Sequence, residues 1–197
     1  MRQIVKGLAV ALTILAAGTG WGTDVSAAND GRAPGPMQQL AESILTDIGQ
    51  ASWIAEGKGP HVVYIFFDPN CPYCHNLYIN TRAQVKAGKL QLRWIPVGIL
   101  VTTSHGKAGA MLGSKDPLKA FYQNEDHYDR SAGGGGLNED LVTPEVDKKL
   151  QANENLLART RVGAVPLMLF HADNGTPILV QGAPPKDKLA NLLGHVK

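Results

Sequence analysis

Cys71 and Cys74 are the only thiols in a chain of 197 residues, and they stand three positions apart. A disulfide between them would close a very short loop and remove little entropy from the unfolded chain, so a purely structural staple is the weaker reading. A thiolate at Cys71 can instead attack a disulfide, and Cys74 can then attack the mixed disulfide so formed. Such chemistry needs no metal or organic cofactor. Cys71-Pro72-Tyr73-Cys74-His75 also matches the C-x-x-C-H signature of covalent haem attachment. That alternative requires His75 as one axial ligand, with Met111, Met168 or His171 as candidates for the other. Zinc is disfavoured, because two Cys and one His leave a tetrahedral site incomplete.

The elements around the pair decide what the thiols can do. His61 to Phe67 is a continuous apolar, β-branched and aromatic run that predicts a strand buried on both faces. Asp68-Pro69-Asn70 breaks it, and Cys74 to Lys86 reads as a helix ended by Gly88. Cys71 then sits at a helix N-terminus with Pro72 in the first turn. Free amides and the positive end of the helix dipole stabilise an anion there, which predicts a depressed thiolate pKa at Cys71. Pro72 and Tyr73, between the two sulfurs, are the residues placed to tune the redox potential of the pair. A charged His75 would favour the thiolate further.

The rest of the chain alternates between helix and strand. Pro36 to Glu56 reads as one amphipathic helix stopped by Gly57 and Gly59, and Leu90 to Val97 as a second strand. Short helices are expected over 107–112 and 117–128, and a longer one over 144–161 with Thr143 as its cap. Gly133 to Gly136 has neither the preceding strand nor the immediate helix of a phosphate loop and reads as a mobile loop. Pro166 to His171 and Thr176 to Gln181 form a hairpin around Asp173-Asn174-Gly175, followed by a last helix over 186–196. This order predicts an α/β, thioredoxin-like sheet carrying an inserted helical subdomain at about residues 99–162.

Composition and the N-terminus bound the setting. With 19 Lys+Arg, 17 Asp+Glu and a formal charge of +2, the chain offers no electrostatic reason to expect nucleic acid. Arg2 and Lys6, the apolar run Leu8 to Ala17 and the small residues Val25-Ser26-Ala27 predict a signal peptide over 1–27. That run falls well short of the ~20 residues needed to span a bilayer. Residues 28–36 then form a flexible mature tail, 37–60 a linker-like N-terminal helix, and 61–197 the catalytic domain. An exported protein works where unpaired thiols tend to be oxidised, which is consistent with a redox pair.

Several separate blocks resemble the DsbC/DsbG family of periplasmic disulfide isomerases, and its DsbG branch most. They are Glu56-Gly57-Lys58, Val63-Tyr64-Ile65-Phe66-Phe67-Asp68-Pro69-Asn70-Cys71-Pro72-Tyr73-Cys74, Gly88-Lys89-Leu90-Gln91-Leu92-Arg93 and Gly113-Ser114-Lys115-Asp116-Pro117. The similarity runs from about Met37 to the C-terminus. It implies a thioredoxin fold, Cys71 as nucleophile and Cys74 as resolving thiol. It also implies a membrane electron donor of the DsbD type, and activity on disulfides or sulfenic acids of exported proteins. The resemblance further places a cis-proline at Pro166, with the backbone of Val165 exposed to pair with an extended substrate. Two departures matter. Val165 stands where the family tends to have Thr, and only about nine residues separate the expected cleavage site from Met37, so the family's N-terminal dimerisation domain is not expected. A monomer follows, or a dimer through the helix at 37–56, with a shift from isomerase toward reductase or oxidase work. A binding module that holds unfolded chains without turnover is the remaining alternative.

Overall fold

In the computed structural model, residues 33–197 are described; the expected signal peptide and the first part of the mature tail lie outside them. The run His61–Phe67 forms β2, the middle strand of a five-stranded sheet of order β1-β3-β2-β4-β5. Its partners are β3 (Leu90–Pro96), which runs parallel to it, and β4 (Leu167–His171), which runs antiparallel. β1 (Ile54–Glu56) and β5 (Pro177–Gln181) pair antiparallel at the two edges.

Both faces of the sheet are covered, which is why β2 and β4 read as nearly unbroken apolar runs. Val63, Ile65, Phe67, Trp94, Met168 and Phe170 point into one core, beneath α2 (Pro72–Lys86), α3 (Ser104–Gly113), α4 (Pro117–Asp126) and α6 (Lys186–Leu193). Phe66, Ile95, Leu167 and Leu169 point into the other, against α1 (Pro36–Thr46) and α5 (Pro144–Arg159). The fully buried Ile95 breaks the alternation of buried and half-buried residues along β3, because α1 and α5 cover the second face of the sheet there. The three helices between β3 and β4 are the expected insertion. Met111 and Phe121 fill the first core and Leu156 and Leu157 the second, so the insertion is packed into the domain rather than appended to it.

Two expectations are corrected. The helix anticipated over 36–56 ends at Thr46; a 3₁₀ turn, Ile48–Gln50, follows, and Ala51 turns extended. Ile54–Glu56 is an edge strand in register with Leu92–Trp94, which turns the fully buried Glu56 inward toward Arg82 and Trp94. A strand that short carries too little alternation to compete with the helical period of Leu40, Ile44 and Ile48. Nor is α1 a linker: Ala41, Ile44 and Leu45 are buried in the second core.

The glycine run is the second correction. Gly134 and Gly135 are buried rather than free in a loop, and Gly134 forms an antiparallel bridge with Asp129. A Cβ at Gly134 would lie 2.5 Å from Asn70 Oδ1 and 2.7 Å from Asn70 Cα, and one at Gly135 would lie 2.0 Å from Asn124 Oδ1. The glycines let the backbone lie directly on the turn that precedes Cys71.

Candidate active site

Cys71 caps the N-terminus of α2 in extended conformation, with Pro72 at the first helical position. Its carbonyl accepts from His75 N at 3.1 Å, and its sulfur accepts from Cys74 N at 3.3 Å. The sulfur therefore sits where the helix leaves amides unsatisfied. Both cysteines are free and almost entirely buried, at 3% exposure for Cys71 and 1% for Cys74.

Their environments push the two thiols apart. A hydrogen bond from the Cys74 thiol holds the Cys71 thiol below its ordinary value; burial opposes this, and the amides of Cys74 and Tyr73 reinforce it. Burial pushes Cys74 well up, helped by its hydrogen bond to Cys71, by the charge there and by Glu125. The thiolate is thus favoured at Cys71 and the protonated thiol at Cys74.

The Val165–Pro166 peptide is cis, and the Val165 carbonyl lies 3.6 Å from the Cys71 sulfur, within reach of its thiol proton. Val165 joins Tyr73, Ala164, Gln181 and Pro184 around an open cavity of about 470 Å³. Tyr73 is 64% exposed at its rim.

The turn before Cys71 is held by the insertion. Asp68, wholly buried, accepts from Asn70 N (2.9 Å) and Ser104 Oγ (2.8 Å) through one oxygen, and from Ile99 N (2.9 Å) and Leu100 N (3.0 Å) through the other. Asn70 donates to Thr103 and Ser104 and accepts from Lys107 Nζ at 2.9 Å; Lys107 also donates to the Gly135 carbonyl. Tyr128 OH donates to the Asn70 carbonyl, and Asn124 Nδ2 to that of Pro69, both at 3.0 Å. His75 stacks on Tyr128, ring centroids 4.3 Å apart, with Nδ1 3.1 Å from Glu125 Oε2.

Sequence reasoning located the thiols and the proline but not Asp68, Asn70, Ser104, Lys107, Glu125 or Tyr128 as a supporting shell. Asp68 and Asn70 appeared as a strand breaker and within one family-like block, with no role of their own, and nothing in local spacing connects residues 104, 125 and 128 to residue 71. The ligands nominated for haem are divided between core and surface. Met111 and Met168 are fully buried in the core, and His171 pairs with Glu42 of α1 at the surface. Among the described residues no three His, Cys, Asp or Glu side chains cluster as a metal site.

Residues 49–197 match the family model of the thioredoxin-like domain. The chain belongs to this family. Its sequence is similar to the thiol:disulfide interchange protein DsbG of Pseudomonas aeruginosa, 39% identical over 159 residues, covering 79% of this chain and 60% of that protein. DsbG of Escherichia coli is 34% identical over 151 residues, covering 74% and 58%. The chain thus spans about three fifths of the length of these curated relatives. Solved thioredoxin-like structures share the fold. ScsC of Proteus mirabilis, in a transitional conformation, superposes with a TM-score of 0.62 at 18% identity, covering 80% of this chain and 77% of its own. A periplasmic thioredoxin-like protein of Salmonella enterica gives 0.58 at 17%, covering 83% and 97%.

Proposed function

We propose that the chain is a DsbG-like thiol-disulfide oxidoreductase acting on exported proteins in the periplasm. The observation that carries this reading is the asymmetry of the pair: Cys71 at the helix N-terminus with its thiolate favoured, Cys74 behind it with its thiol favoured. The Cys71 thiolate attacks a substrate disulfide, one substrate sulfur leaves as thiolate, and a mixed disulfide remains. Either another substrate thiol displaces Cys71, which rearranges the substrate, or Cys74 does so, which reduces it. A sulfenic acid enters the same path: its oxygen leaves as water once protonated, and the two sulfurs join.

In this reading the Val165 backbone, Tyr73 and the adjoining cavity receive an extended substrate segment, whose main chain pairs beside the cis-proline. Pro72 and Tyr73 tune the potential. A membrane donor of the DsbD type recharges the pair, and the chain works as a monomer. Reduction of a model protein disulfide is expected to vanish in Cys71→Ser and to stall as a trapped mixed disulfide in Cys74→Ala. Retained turnover in Cys71→Ser overturns the assignment, and protection of unfolded chains that survives in the double serine variant would make it a binding module instead. The reduction potential sets the direction: near about −270 mV on the scale of known pairs the enzyme is a reductase, near about −120 mV an oxidant.

A further inference from the structure

Asn70, the residue before the nucleophile, is buried, and each of its polar atoms is engaged. Its backbone nitrogen donates to Asp68 Oδ1 and its side-chain nitrogen to Thr103 Oγ1 and Ser104 Oγ, while its carbonyl accepts from Tyr128 OH and its Oδ1 from Lys107 Nζ. Lys107 extends this hold to a further stretch of chain. From α3 its ammonium also donates to the buried Gly135 carbonyl at 2.6 Å, beside Gly134, which lies against Asn70 itself. None of the ion pairs among the described residues includes Lys107. A half-buried cation with no carboxylate partner has given up solvation for two neutral acceptors. An ammonium suits that task, since it offers three donors and no acceptor.

We propose that Lys107 is a positioning residue that sets the redox potential of the pair through Asn70, by clamping α3, the glycine segment and the turn before Cys71 into one frame. This rests on the oxidoreductase reading given above. The residue before a helix cap fixes the angle at which the chain enters the helix. Asn70 holds that place. Cys71 is the cap, its backbone nitrogen donates to the Asp68 carbonyl at 3.0 Å, and its sulfur accepts from Cys74 N at 3.3 Å. Without the Lys107 ammonium, Asn70 Oδ1 and the Gly135 carbonyl both lose this donor, and the turn gains freedom where it feeds into the cap. The Cys71 sulfur then spends less time on the Cys74 amide.

The loss falls on one redox state. A thiolate at Cys71 draws on that amide, whereas a disulfide sulfur is uncharged and a weak acceptor. Loosening the turn therefore destabilises the reduced pair more than the oxidised one, and a less stable reduced form means a lower, more reducing potential. The exchange that reads this out balances. Two thiols of the pair give two electrons and two protons to glutathione disulfide, which leaves as two glutathione thiols, and a bond forms between the sulfurs of Cys71 and Cys74.

Full-length protein is equilibrated in glutathione buffers of graded ratio, and the oxidised fraction is read by mass after the thiols are trapped. Lys107→Met keeps much of the side chain without its donors. It is expected to shift the equilibrium about tenfold toward the protein disulfide, or about 30 mV, the lower end for losing a hydrogen bond to a charged group. The pH midpoint of Cys71 alkylation should rise in step. Lys107→Arg, which keeps the charge and several donors, should restore most of the shift. In an Asn70→Ala background Lys107→Met should add little, because the link is already cut. A parental potential in Lys107→Met overturns the proposal, and a lowered urea midpoint alongside it would mark Lys107 as purely structural. A shift that persists in full in Asn70→Ala overturns the route through Asn70 and assigns the effect to the field of the ammonium. Should Lys107→Met not fold, Lys107→Gln, neutral and shorter but still polar, is read against the same outcomes. A parent pair that exchanges with glutathione at no ratio instead sinks the oxidoreductase reading.

Discussion

The Cys74 thiol is the largest single influence holding the Cys71 thiol below its ordinary value, ahead of the amides of Cys74 and Tyr73. Cys74→Ala removes that donor and leaves both amides and the helix N-terminus in place. A hydrogen bond to a charged group is worth about 1.5–3 kcal/mol, and S–H is a weak donor, so the lower end applies. At about 1.36 kcal/mol per tenfold change, this lowers the thiolate population about tenfold at pH values below the titration midpoint. Cys74→Ser places a hydroxyl donor in the same position and should restore most of the loss. The assay is the rate of Cys71 alkylation by iodoacetamide from acid to mildly alkaline pH, read as mass added to the intact protein; the buried, protonated Cys74 of the parent contributes little at short times. The expected order of rates below the midpoint is parent, then Cys74→Ser, then Cys74→Ala. Alkylation of Cys74→Ala as fast as the parent at every pH would refute the reasoning and assign thiolate stabilisation to the helix terminus and amides alone.

Two further outcomes follow from the shell around the pair. Gly134→Ala places a Cβ against Asn70 in a backbone with φ of +129°, whereas Gly133, with φ of +89°, has open space. Urea unfolding should show Gly134→Ala losing about 2 kcal/mol more than Gly133→Ala, since both carry the backbone cost but only one meets a packed neighbour. Equal losses would mean that the contact with Asn70 yields freely. Burial raises Glu125 above its unfolded value, so its protonated form stabilises the fold below the unfolded carboxylate pKa, and this contribution is lost as pH rises through the higher folded value. Glu125→Gln should therefore gain stability relative to the parent as pH climbs through that window, measured as the difference in unfolding free energy. A difference that does not change with pH contradicts the raised pKa.

Much of the fold could be read from local pattern because the pattern is strong where burial is two-sided. His61–Phe67 has no polar interruption, and Asp173-Asn174-Gly175 joins two apolar runs. Thr143 caps α5, accepting from Val146 N, as its place before Pro144 predicts. Reading failed where the determinant is a neighbour distant in sequence. Ile54–Glu56 is a strand because β3 offers it a free edge and Arg82 and Trp94 offer Glu56 partners. Gly134 and Gly135 are packed because Asn70 and Asn124 lie against them. Neither fact has a signal within its own segment.

The same division holds at the site. Spacing alone placed the sulfur of Cys71 at a helix start, since a strand, a breaker and a proline-led helix in that order leave the first cysteine at the cap. What surrounds the two thiols was decided only when the insertion between β3 and β4 folded back. It set Asn124, Glu125 and Tyr128 beside residues 69–75. Hydrogen bonds and desolvation act over a few ångströms of space, and a chain that returns after about 50 residues carries no periodicity to announce where it will land.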